Sequence, residues 1–254
     1  MDLNHKSFGA GEPLIILHGL FGTLDNWQTV AKKLAEHYLV YIIDQRNHGR
    51  SPHVEGHSYP LMAEDLAAFM EENWMHKAHI IGHSMGGKTA MQFAADYPDL
   101  LDKLVVVDIA PKKYQGGHQI IFDALRSVDI NKVESRKEVE EHLSKFIEEP
   151  GVRLFLMKNL SRKKDGGFQW KMNLEEIYVN YPKILDNILL EDSVTNDSLF
   201  INGAKSDYVT DEDQKFIREY FHNAQFVTIP NAGHWVHAEQ PAALVDSLLS
   251  FLNE

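Results

Sequence analysis

The chain contains no cysteine in its 254 residues. That excludes a disulfide framework, a thiolate nucleophile and cysteine metal ligation at once. No apolar run approaches the roughly 20 residues needed to span a bilayer. The opening residues, Met1-Asp2-Leu3-Asn4-His5-Lys6, lack the charged-then-apolar pattern of a secretory signal. Positive charge is short as well: 25 Lys and Arg stand against 37 Asp and Glu, a formal net charge of −12. Phosphate binding needs a basic surface, so this balance argues against a nucleic-acid partner. Two local basic runs, Lys112-Lys113 and Arg162-Lys163-Lys164, read as solvated surface. No internal repeat or low-complexity tract is present. What remains is an ordinary globular composition, 44% hydrophobic and 24% charged. The expectation is a cytoplasmic protein without a membrane partner, a monomer or homodimer.

Short apolar runs alternate with helical patterns through the first half. Pro13–Leu17, Leu39–Asp44, Ala78–Ile81 and Lys103–Asp108 read as strands. Helices are predicted around Trp27–Leu34, over Leu61–Trp74 and over Lys88–Ala95. The strand runs do not alternate with polar residues, as befits parallel strands covered on both faces. Repeated strand–helix–strand units imply a doubly wound α/β sheet with its chemistry at the carboxyl ends of the strands. The rhythm breaks at Pro111. From 112 to 196 the chain is polar and helical in composition, with helices predicted within 131–149, 151–159 and 174–190. Strands return at Ser198–Asn202 and Gln225–Ile229. Thr210-Asp211-Glu212-Asp213 is a capping box opening a helix to Phe221, and Pro241–Leu252 is a final amphipathic helix. The expected organisation is a core of 1–111 and 197–254 with a helical cap over 112–196.

Gly82-His83-Ser84-Met85-Gly86 lies between the Ala78–Ile81 run and the Lys88–Ala95 pattern. A serine on a tight strand-to-helix turn is lifted to the sheet edge, where the helix N-terminus favours forming negative charge. A hydroxyl is a weak nucleophile at neutral pH and needs a base, which in turn needs a carboxylate to hold its tautomer. Of fourteen histidines, His234 is selected because Asn231-Ala232-Gly233-His234-Trp235 follows the last strand. Asp207, after the preceding strand, is the favoured acid by chain order and loop position. Asp108 also ends a strand and stays open as its rival, and Ser206 is placed to assist either acid. An oxyanion needs two backbone N–H groups. Met85 supplies one and Leu20, in His18-Gly19-Leu20-Phe21-Gly22, is the best candidate for the other. His237 and the loop residues His48, His53 and His57 match no metal spacing. No metal site is expected.

Four stretches together, His18–Gly22, Asp44–Pro52, Gly82–Lys88 and Gly233–Glu239, resemble the α/β-hydrolase superfamily, and within it the small bacterial YbfF-type esterases. The resemblance covers nearly the whole chain and is weakest over the cap. It implies a mostly parallel eight-stranded sheet, a helical cap and a cofactor-free carboxylesterase or thioesterase of class EC 3.1. Ser84, His234, Leu20 and Met85 carry over directly. The acid does not, because branches of the superfamily place it after the sixth or the seventh strand, and this chain has Asp108 and Asp207. The substrate expected is a small ester or acyl thioester of short to medium chain, with acyl-coenzyme A among the candidates. Lys112 and Lys113 are expected to attract such an acidic thioester. The cap aromatics Phe122, Phe146, Phe155, Trp170, Tyr178 and Tyr181 are expected to divide between cap core and acyl pocket. Carbon–carbon bond hydrolysis, a lyase step, or a slow-turnover ligand-sensing module are the alternative uses of the same framework.

Overall fold

The computed structural model describes residues 1–190 and 192–254. Its elements run β1 His5–Phe8, β2 Pro13–Leu17, α1 Gln28–Leu34, β3 Leu39–Ile43, α2 Tyr59–Glu72, β4 Ala78–His83, α3 Met85–Asp96 and β5 Leu101–Val107. Then come α4 Gln119–Arg126, α5 Arg136–Leu143, α6 Pro150–Met157, β6 Leu160–Arg162, β7 Phe168–Trp170 and α7 Leu174–Leu185. The chain closes with β8 Ser198–Gly203, α8 Asp211–Tyr220, β9 Ala224–Ile229, α9 Val236–Glu239 and α10 Pro241–Leu252.

Seven strands form the main sheet in the order β1-β3-β2-β4-β5-β8-β9. Only β1 runs antiparallel, against β3; the other pairings are parallel. The expected eight strands are therefore seven among the described residues. A single short strand, His5-Lys6-Ser7-Phe8, precedes β2. It is mostly exposed and polar, so no apolar pattern marks it.

The uninterrupted apolar runs have a simple cause. Ile15, Leu17, Ile80, Leu104 and Val106 face a core made with α2, α3 and the cap. Their neighbours Leu14, Ile16, Ile81, Val105 and Val107 face a second core made with α1 and α10. Side chains alternate across a strand, so burial on both faces requires apolar residues at every position. Each such Val, Leu or Ile contributes about 1.5–3 kcal/mol when fully buried.

The strand order reverses beside β2, with β3 on one side and β4 on the other. A crevice opens at the carboxyl ends of the strands at such a switch point. The turn after β2 carries His18 to Gly22, and the turn after β4 carries Ser84.

Between β5 and β8 the chain forms α4 to α7 together with a two-stranded antiparallel ribbon, β6 with β7. The ribbon was not expected, because three-residue strands leave no readable period. Two helices are shorter than their composition implies. α5 ends at Leu143, and α7 ends where Asp186 turns to extended backbone (φ −69°, ψ 164°). The capping box at Thr210 forms as read, with the Thr210 and Asp213 side chains each bonding the other's backbone N–H.

Candidate active site

The turn holding Ser84 is a strained one. Ser84 sits at φ 53°, ψ −119°, a left-handed conformation that L-residues adopt at a cost. Two glycines make it sterically feasible. A Cβ on Gly82 would lie 2.1 Å from the Gly86 carbonyl oxygen, and one on Gly86 would lie 2.5 Å from that of Leu17. The Ser84 N–H donates to Val107 O at 3.0 Å, which ties the turn to the end of β5.

His234 enters from the loop after β9. The N–H groups of Gly233 and Trp235 both donate to the Glu239 carboxylate, at 2.8 and 3.3 Å, and this fixes the loop. The Ser84 hydroxyl donates to His234 Nε2 at 3.0 Å. On its other side His234 Nδ1–H donates to Asp108 Oδ2 at 2.7 Å. The carboxylate on the imidazole is therefore that of Asp108, and the preference for Asp207 is corrected. Asp108 follows β5, next to the Ser84 turn, at φ 55°. Its buried carboxylate also accepts from the Gly203 N–H at 3.0 Å and from the Ser206 hydroxyl at 2.5 Å. Ser206 takes the inward place in the loop after β8. Its neighbour Asp207 is exposed and, among the described residues, makes no ion pair with an imidazole.

Several residues of the site carried no warning in the sequence. The Tyr208 ring stacks on His234 with centroids 3.9 Å apart at 17°. His83 Nε2–H donates to the His234 carbonyl at 2.8 Å, and its burial pushes its pKa well down, so it serves as a neutral donor. His118, from the segment leading into α4, lines the space above Ser84. Tyr181 Oη accepts the backbone N–H of His118 at 3.3 Å and lies 2.7 Å from its Nδ1, which fixes the ring beside the cavity. Burial lowers the His118 pKa to about 4.

The amides of Leu20 and Met85 have no protein acceptor among the described residues. Met85 is the first residue of α3, so its N–H is one of the unsatisfied donors of a helix N-terminus. Two cavities meet at Ser84, Leu20 and His118. One, about 540 Å³ with its open mouth, runs toward Trp27, Ile121, Phe155 and Trp235. The other, about 780 Å³, runs toward Lys88, Ile109, Tyr114 and Leu185.

The other singled-out residues fall elsewhere. His237 is buried and stacks on Trp27, with centroids 4.7 Å apart. His48 and His57 are buried beside His18, their rings linked at 5.1 and 5.4 Å, and His53 donates to Lys171 O. Lys112 pairs with Asp213 at 2.6 Å and Lys113 with Asp186 at 3.5 Å, and neither lysine lines the two cavities at Ser84. Of the cap aromatics, Phe155 and Tyr181 line the cavities, and Phe122 is buried between Phe21 and the tyrosines Tyr178 and Tyr181. Trp170 lies in a basic surface groove with Arg162 and Lys171, and Phe146 is exposed.

A family model described as the alpha/beta hydrolase fold matches residues 12–241. The chain belongs to the α/β-hydrolase family. It is 40% identical over 242 residues to a putative esterase/lipase of Haemophilus influenzae, covering 95% of this chain and 83% of that one. It is 36% identical to the esterase YbfF of Escherichia coli, covering 95% and 93% of the two. Among solved structures it resembles a marine microorganism esterase at a TM-score of 0.96 and 47% identity, over 98% of both chains. These likenesses set the α/β-hydrolase among its YbfF-like esterase relatives.

Proposed function

We propose that this α/β-hydrolase is a serine esterase that cleaves carboxylic esters through an acyl-enzyme on Ser84. The observation that carries the reading is the hydrogen-bonded line Ser84–His234–Asp108, 3.0 and 2.7 Å long, at the floor of two joined cavities. The esterase names of the relatives support the same class of bond.

In this reading His234 Nε2 takes the Ser84 proton as the hydroxyl attacks the ester carbonyl. The Leu20 and Met85 N–H groups receive the oxyanion, and Asp108 stabilises the imidazolium. The imidazolium then protonates the departing alcohol. A water, deprotonated by the same nitrogen, releases the acid and restores Ser84. Ser206 and Gly203 hold Asp108, and Tyr208 holds the imidazole plane. These are positioning roles. The largely apolar linings suit acyl chains of short to medium length as oxygen esters, and acyl thioesters follow by the same chemistry. Lys112 and Lys113 lie outside the linings of both cavities, which gives coenzyme A recognition no support at those positions.

A fluorophosphonate probe tests the proposal. It should label Ser84 stoichiometrically, abolish hydrolysis of p-nitrophenyl esters, and fail to label S84A. A protein that stays unlabelled, or is labelled yet fully active, overturns it.

A further inference from the structure

The second cavity contains a charge that the ester chemistry does not use. Lys88 lies one turn after Ser84 on α3, its N–H donating to Ser84 O at 3.0 Å. Residues four apart share a helix face, and each Cβ leans toward the helix N-terminus. The Lys88 side chain lines the same cavity as Ser84. It is 1% exposed. Lysine is almost never so buried without a counter-ion.

Among the described residues, Lys88 Nζ has one hydrogen-bond acceptor, the neutral carbonyl of Asp186 at 2.6 Å. An ammonium has three N–H donors, so two lack an oxygen. The Tyr59 and Tyr114 rings lie 5.4 and 4.9 Å from Nζ and offer their faces. Both phenols turn away: Tyr59 donates to Ile184 O and Tyr114 to Tyr208 O. The Asp186 carboxylate favours the ammonium from nearby but pairs with Lys113, and the Lys112 charge opposes it. Asp207 stands at the cavity wall, where it is exposed and solvated.

We propose that the second cavity is a subsite for a carboxylate carried on one arm of the ester, with the Lys88 ammonium as its counter-ion. This deepens the serine-esterase reading and rests on it. A bound carboxylate supplies the two acceptors Lys88 lacks, while Met85, Ile109 and Leu185 enclose the methylenes between that group and the scissile bond. Burial lowers the Lys88 pKa to about 7. The ammonium is then half-populated near neutrality in the empty site, and an arriving carboxylate draws a proton onto it.

The test compares the monoethyl esters of succinate, glutarate and adipate with neutral ethyl esters of matched length. Acetyl esters of glycolate and 3-hydroxypropanoate place the carboxylate on the alcohol arm instead. At pH 6.5, one arm should show kcat/KM roughly ten- to a hundredfold above its neutral counterpart, the range of a charged hydrogen bond. In K88M that ratio should fall to near one. In the wild-type protein, KM for the anionic ester should rise about tenfold per pH unit above pH 7, following the loss of the ammonium, while KM for the neutral ester does not follow it. An unchanged ratio in K88M with a lowered Tm reduces Lys88 to a bolt between α3 and the cap, and overturns the proposal. A flat KM profile overturns it even if K88M does not fold. Fluorophosphonate labelling separates the two readings: Ser84 labelled without anion preference sinks the subsite alone, and Ser84 unlabelled sinks the esterase.

Discussion

Replacing Asp108 by Asn tests the site most directly. The carboxylate accepts three hydrogen bonds: Oδ1 from Gly203 N–H, and Oδ2 from Ser206 Oγ and His234 Nδ1. An amide offers one acceptor oxygen and one NH₂ group. Keeping the oxygen on the Gly203 N–H turns the NH₂ toward Ser206 and His234. The amide then donates to His234 Nδ1, and the imidazole proton moves to Nε2. That nitrogen faces Ser84 at 3.0 Å and, once protonated, accepts nothing from the hydroxyl. The loss expected for a wrong tautomer is about 10⁴-fold in kcat, or about 5.5 kcal/mol of barrier. Steady-state hydrolysis of p-nitrophenyl butyrate by D108N and D207N, with Tm measured alongside, reads it. The loss in D207N should be smaller than the loss in D108N by at least about two orders of magnitude, because the exposed carboxylate is not the one that sets the tautomer. If D207N collapses while D108N keeps a tenth of the activity, the assignment of the acid is wrong.

Two further outcomes follow from the structure. G86A should lower both Tm and turnover, because its Cβ would meet Leu17 O at 2.5 Å and His18 O at 2.7 Å and displace the turn bearing the Leu20 amide; wild-type kinetics in that variant would contradict the account of the elbow. Stability should fall as pH drops from 6.5 toward 3, because burial holds His57 and His237 neutral with pKa values of about 3 against 6.5 in the unfolded chain. The unfolded state takes up protons first in that window, at about 1.4 kcal/mol per pH unit for each group. Urea midpoints that stay level between pH 7 and pH 4.5 would refute this.

What could be read from the sequence was local. The Ser84 elbow is written in consecutive residues, since Gly82 and Gly86 are required by contacts within the turn and with the strand beside it. His234 was found because it follows a readable strand. The acid was not readable, because both aspartates end strands, and only the packing of β8 against β5 decides which carboxylate faces the imidazole. Ser206 and Asp207 are adjacent letters with opposite orientations. Tyr208 and His83 act through side-chain contacts across more than twenty and more than one hundred residues, and no pattern in the chain encodes them. Lys88 was read as one more residue of a helix, and its isolation emerges only when Asp186, Tyr59 and Tyr114 converge on it. The strand β1 and the β6–β7 ribbon were missed because one is a polar edge and the other is too short for a period.

The grip of the β8 loop on Asp108 has a consequence for how this enzyme can change. Gly203 at the end of β8 and Ser206 in the loop after it hold two of the three bonds on the charge behind the imidazole. A neighbouring strand end thus already surrounds the place where a carboxylate is needed. Drift in that loop is accordingly audible at the nucleophile, although no residue of the loop bonds to the nucleophile.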